Sequence, residues 1–85
     1  MSKRVERTYR GISTRLARRY LEILGGEVDD DTITGDGWRA TISESTVSVG
    51  PTLQLTELAI AFEGEADTVD RIVTSFTKKA MRAGG

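Results

Sequence analysis

Leu58-Ala59-Ile60-Ala61-Phe62 alternates large apolar with small residues. That is the period of a β-strand with one face deeply buried and the other closely covered. The strand is read over Leu53–Glu63, with Leu58, Ile60 and Phe62 facing a core and Ala59 and Ala61 keeping the second face low. Directly after Gly64 the apolar period becomes 3.6. Val69, Ile72, Val73, Phe76 and Ala80 form the stripe of an amphipathic helix over about Glu65–Arg82. Glu65, Asp67 and Asp70 come early in it and Lys78, Lys79 and Arg82 late, which complements the helix dipole at both ends.

The earlier segments use the same two periods. Val5, Arg7 and Tyr9 share one side of a short first strand, which Gly11 ends. Ser13 is a good N-cap for a helix running to about Leu24. Ile12, Leu16, Ala17, Tyr20, Leu21 and Leu24 form its apolar face; Arg15, Arg18, Arg19 and Glu22 take the other. Gly25-Gly26 closes it, Gly25 supplying the left-handed residue just past the helix.

Val28–Thr34 reads as a weak strand interrupted by Asp29-Asp30-Asp31, and Gly35-Asp36-Gly37 as a turn. Trp38, Ala40 and Ile42 then alternate with Arg39 and Thr41. Ser43-Glu44-Ser45-Thr46 is expected to close a four-residue hairpin, setting Ile42 opposite Val47 and Ala40 opposite Val49. Gly50-Pro51 ends that strand or marks a bulge through which pairing continues. The order β-α-β-β-β-α predicts an α+β layer: an antiparallel sheet of about four strands with two helices on one face. No repeat, linker or low-complexity segment divides residues 1–85, so one domain is expected.

Composition sharpens the picture mainly by absence. The chain has no cysteine and no histidine, which removes disulfides, thiol chemistry, Cys/His zinc sites and imidazole-based triads. The expectation is a non-enzymatic protein without catalytic residues or a cofactor. No run approaches the ~20 apolar residues of a membrane span. Met1–Glu6 has no apolar region behind its charges, so the chain is expected in the cytoplasm rather than secreted.

Net charge is −1 but uneven. Residues 1–19 carry seven basic and one acidic side chain, residues 20–70 twelve acidic and one basic, and residues 71–85 four basic. Arg15, Arg18 and Arg19 with Lys78, Lys79 and Arg82 would form one basic surface if the helices lie side by side, and such a surface meets phosphate backbones. The plainer account, two solvent-facing helix sides, weighs more, because no phosphate loop or RNA-recognition aromatic motif accompanies them.

Asp29, Asp30, Asp31 and Asp36 offer oxygen ligands for a hard cation, but Ile33 occupies a slot that needs oxygen, and a solvated acidic hairpin is the stronger reading. Trp38 is assigned to the core before a partner interface. Gly84 and Gly85 are read as a fraying helix end rather than an activated tail. At this length a chain buries only roughly 60% of its extended surface. With Ala59 and Ala61 on the second face of the sheet, a homodimer is expected, edge to edge or face to face.

Glu6-Arg7-Thr8-Tyr9, Arg19-Tyr20-Leu21-Glu22 with Gly25-Gly26, Val49-Gly50, Glu63-Gly64-Glu65 and Ala83-Gly84-Gly85, in that order and spacing, resemble the C-terminal domain of MoaD-related proteins. These are relatives of the sulfur carrier of molybdopterin synthesis. In two-domain relatives this domain follows a β-grasp sulfur-carrier domain, which these 85 residues do not contain. The resemblance therefore implies a stand-alone α+β accessory or interaction domain, with a sulfur-carrier or molybdopterin-pathway protein as partner, and it supplies no catalytic residue.

Overall fold

The computed structural model describes residues 1–84, and side chains as far as Met81. Five strands and two helices follow one another: β1 (Ser2–Arg10), α1 (Thr14–Ile23), β2 (Glu27–Asp29), β3 (Thr32–Gly35), β4 (Trp38–Ser48), β5 (Gln54–Glu65) and α2 (Ala66–Gly84). The strands form one antiparallel sheet in the order β1-β5-β4-β3-β2. This is the expected α+β layer, with the strand read around Leu58–Phe62 in its interior, paired on one side with β1 and on the other with β4.

Two local expectations fail. Ser43–Thr46 does not turn: β4 runs straight through it, with Ile42 opposite Ile60, Glu44 opposite Leu58 and Thr46 opposite Thr56. None of these four residues adopts the positive φ that a tight hairpin needs, whereas Gly50 does, at 138°. The chain reverses there, and the Val49 N–H donates to the Leu53 carbonyl at 2.8 Å. The second difference is the fifth strand. Asp30 takes φ 59°, folding Val28–Thr34 into its own small hairpin instead of one interrupted strand.

Ser13 caps α1 as expected, its Oγ accepting from the Leu16 N–H at 3.1 Å. At the other end Gly25 stands at φ 103°, and the Gly25 and Gly26 N–H groups donate to the Glu22 and Leu21 carbonyls. Both helices lie on one face of the sheet. Leu58, Ile60 and Phe62 of β5, Ala40 and Ile42 of β4, and Ile33 of β3 meet Ala17 and Leu21 of α1 and Val69, Ile72 and Phe76 of α2, all essentially inaccessible to solvent. Trp38 belongs to this core at 5% exposure. Phe76 is its aromatic hub, packing edge-on against Tyr9, Phe62 and Tyr20 with centroids at 4.9, 6.0 and 6.2 Å.

β1 adds a joint to α2. The Tyr9 hydroxyl shares a 2.9 Å hydrogen bond with Thr77 Oγ1, and Lys3 Nζ meets Asp70 at 2.8 Å. Burial raises the Tyr9 phenol above its ordinary range, against the smaller opposing effects of Thr77 and Arg7.

Candidate interaction surface

Alternation places every second residue of β5 on the face away from the helices: Leu55, Glu57, Ala59, Ala61 and Glu63. Register then aligns rows across the sheet. Ala61 lies between Glu6 and Thr41, and Ala59 between Thr8 and Ser43. Neither helix covers this face, because every buried side chain of α1 and α2 packs on the other one. The small side chains leave a shallow groove of about 740 Å³ along Thr8, Thr41, Ser43, Ala59 and Ala61.

Ion pairs bracket the groove. At one end Glu63 sits between Arg4 at 2.9 Å and Arg39 at 3.9 Å, and Arg4 also holds Glu6 at 2.7 Å. The hydrogen bond to Glu6, then the charges of Glu6 and Glu63, raise the Arg4 pKa. At the other end Arg10 holds Glu57 at 2.9 Å. Each of these three carboxylates has a guanidinium partner, whereas Glu27 and Asp29, which the register places farther along the same face, enter no salt bridge among the described residues.

Beyond Glu57, β1 ends and only β4 and β5 continue. They make a two-stranded arm in a molecule 45 Å long and 24 by 21 Å across. Val47 and Leu55 stand opposite one another on the groove side of the arm. Val49 and Leu53 continue that row at the tip, 46% and 54% exposed.

The basic residues expected to act together are divided. Arg15 and Arg19 point outward on α1 and are exposed. Arg18 lies on the α1 flank opposite Tyr20, the residue that reaches Phe76 of α2. It pairs with Asp31 at 3.0 Å, and its Nε is buried without a hydrogen-bond partner. Lys78 is exposed and Lys79 half-buried on α2, and the side chain of Arg82 lies outside the described residues. Among the described residues Arg15, Arg19, Lys78 and Lys79 enter no salt bridge.

Of the acidic hairpin, Asp31 is engaged by Arg18, and Asp30 forms the turn. Among the described residues no group of three or more acidic side chains is arranged to hold a metal ion. No helix among them is long and apolar enough to cross a membrane. α2 extends through Gly84, and Gly85 lies outside the described residues.

Sequence reasoning found Ala59 and Ala61 but missed the bracketing ion pairs and the apolar side of the arm. The apolar alternation changes phase between Ile42 and Val47, and only β4 continuing as one strand puts Val47 and Val49 on the side of Thr41 and Ser43.

No curated protein matches the chain. Residues 5–85 match the family described as archaeal MoaD-like protein, which takes in β1 from Val5 onward, the whole sheet and both helices. The chain is a member of the archaeal MoaD-like protein family.

Proposed function

We propose that the protein is a non-catalytic, cytoplasmic interaction module that docks a sulfur-carrier or molybdopterin-pathway protein on the open face of its sheet. The uncovered groove carries this reading: its floor is made by Thr8, Thr41, Ser43, Ala59 and Ala61, charged Arg4, Glu6, Arg7 and Glu63 border it, and ion pairs stand at both ends. Membership of the archaeal MoaD-like protein family supports that class of partner. A chain without His or Cys has few groups suited to proton or acyl transfer, so binding is the work this face is suited to.

The RNA-binding alternative rests on the helix cations, and Arg18 is already committed to Asp31. The remaining cations spread over two helices, so the open face is preferred. A diglycine carrier role is set aside for a related reason. α2 remains helical through Gly84, whereas a tail that threads into an activating enzyme is extended.

The test is affinity purification from the native cell, comparing the tagged wild-type chain with Ala61→Arg. That substitution puts a long cation in the middle of the groove, where Ala61 faces Glu6 and Thr41. The same sulfur-carrier or molybdopterin-pathway component should accompany the wild type and be depleted at least about tenfold with the variant, the effect of losing roughly 1.4 kcal/mol. Recovery of unrelated proteins only, or equal recovery by both chains, contradicts the reading.

A further inference from the structure

The edge of β4 beyond Thr41 is left open by β3. β3 covers β4 only over Trp38–Thr41, and the Ile42 N–H donates past it to the Asp31 carbonyl at 2.8 Å. Backbone groups alternate sides along an antiparallel strand. Glu44, Thr46 and Ser48 therefore point their N–H and C=O groups the same way as Ile42, away from β5. Among the described residues these groups have no backbone partner. The segment Ser43–Ser48 holds no Lys, Arg or Pro, residues that blunt exposed edges, and its single charge is Glu44. The opposite edge of the sheet differs: β1 carries Lys3, Arg4, Arg7 and Arg10.

We infer that two copies of this chain pair antiparallel through β4, centred on Thr46, and so join their sheets edge to edge. A twofold axis perpendicular to the sheet is required for antiparallel strands, and it keeps like faces on the same side. Among the registers it allows, centring on Thr46 places Thr46 opposite Thr46, and Glu44 of each copy opposite Ser48 of the other. All outward-pointing residues of the segment then exchange both backbone bonds. Centring on Ser45 or Val47 uses fewer of them. Centring on Glu44 opposes two carboxylates and calls on the Ile42 N–H, which Asp31 already holds.

The slot has natural stops. The Asp30–Asp31 turn closes one end, and Gly50-Pro51 turns the chain away at the other. On the groove side Val47 of each copy lies beside Ser45 of the other and diagonal to its Val47, which brings the apolar rows of the two arms together. The two grooves face the same way. The inference stands on the β4 edge alone and survives if the docking reading fails.

Sedimentation equilibrium of the full chain tests it. The wild type should show twice its 9.3 kDa mass at micromolar concentration. Thr46→Pro should be monomeric: the lost N–H points out of the sheet, so no bond to β5 goes with it. In case that variant fails to fold, exposed Ser48 supplies a second pair. Ser48→Glu sets carboxylates opposite Glu44 twice and should raise the dimer dissociation constant about tenfold; Ser48→Lys should lower it. Because the chain has no cysteine, Thr46→Cys should also cross-link to itself on mild oxidation, hydrogen-bonded Cα atoms being about 5.5 Å apart. A monomeric wild type overturns the inference. So does a dimer indifferent to Thr46→Pro and to both Ser48 changes, which would assign assembly to another surface.

Discussion

Tyr9 and Thr77 meet hydroxyl to hydroxyl at 2.9 Å, tying the edge strand β1 to the middle of α2. The Tyr9 ring lies against Phe76 at the same place, so a single residue joins polar and aromatic contacts across the two ends of the chain. Tyr9→Phe keeps the ring and removes the bond. It should cost about 1 kcal/mol in urea unfolding, the usual net value of one hydrogen bond.

The same residue makes stability depend on alkaline pH. Burial holds the folded phenol above its ordinary value near 10. The stability that this shift contributes is complete below the unfolded pKa and is lost as pH rises through the folded one, because the unfolded chain releases its proton first. Denaturation midpoints should therefore fall above pH ~10, and Tyr9→Phe should flatten that fall. A wild-type profile parallel to that of the variant contradicts the assignment.

Phe76 touches Tyr9, Tyr20 and Phe62 and is fully buried. Phe76→Ala should cost about 3–5 kcal/mol. Native stability is ~5–15 kcal/mol, with small domains near the bottom, so the variant should keep only ~0–2 kcal/mol and show a sharply lowered melting temperature by circular dichroism.

Gly64 lies in β5 at φ 145°, where an added Cβ would sit on the Gly37 carbonyl oxygen and 2.8 Å from Trp38 Cα. Gly64→Ala should therefore cost more than the ~1 kcal/mol typical of a strained glycine replacement. At Asp30, φ 59°, the opposite holds: Asp30→Gly should leave the melting temperature level or raise it, and Asp30→Val should lose about 1–2 kcal/mol.

The strands and helices with a strong period were legible in the sequence. Leu58–Phe62 lies in an interior strand of the sheet and Val69–Ala80 forms the α2 stripe, because their periodicity follows directly from burial on one face. Ser43–Thr46 misled because four polar residues resemble a turn by composition. Composition carries no information on register, and full pairing with Thr56–Ala59 outweighs that weak preference. The Asp29–Asp31 run concealed a turn, since only Asp30 needed positive φ and aspartate tolerates it without a glycine to mark it. The site was legible in part. Ala59 and Ala61 stood out, but the Arg4–Glu63–Arg39 cluster joins residues from three strands, and only the sheet order brings them together.

The docking role of the open face is decided by placing a photo-crosslinking amino acid at Thr41, inside the groove, and separately at Arg15, on the outer side of α1, in the native cell. Adducts from position 41 with a sulfur-carrier or molybdopterin-pathway protein, and none with that protein from position 15, are the predicted result. Adducts with that protein from position 15 alone, or with RNA, would contradict it.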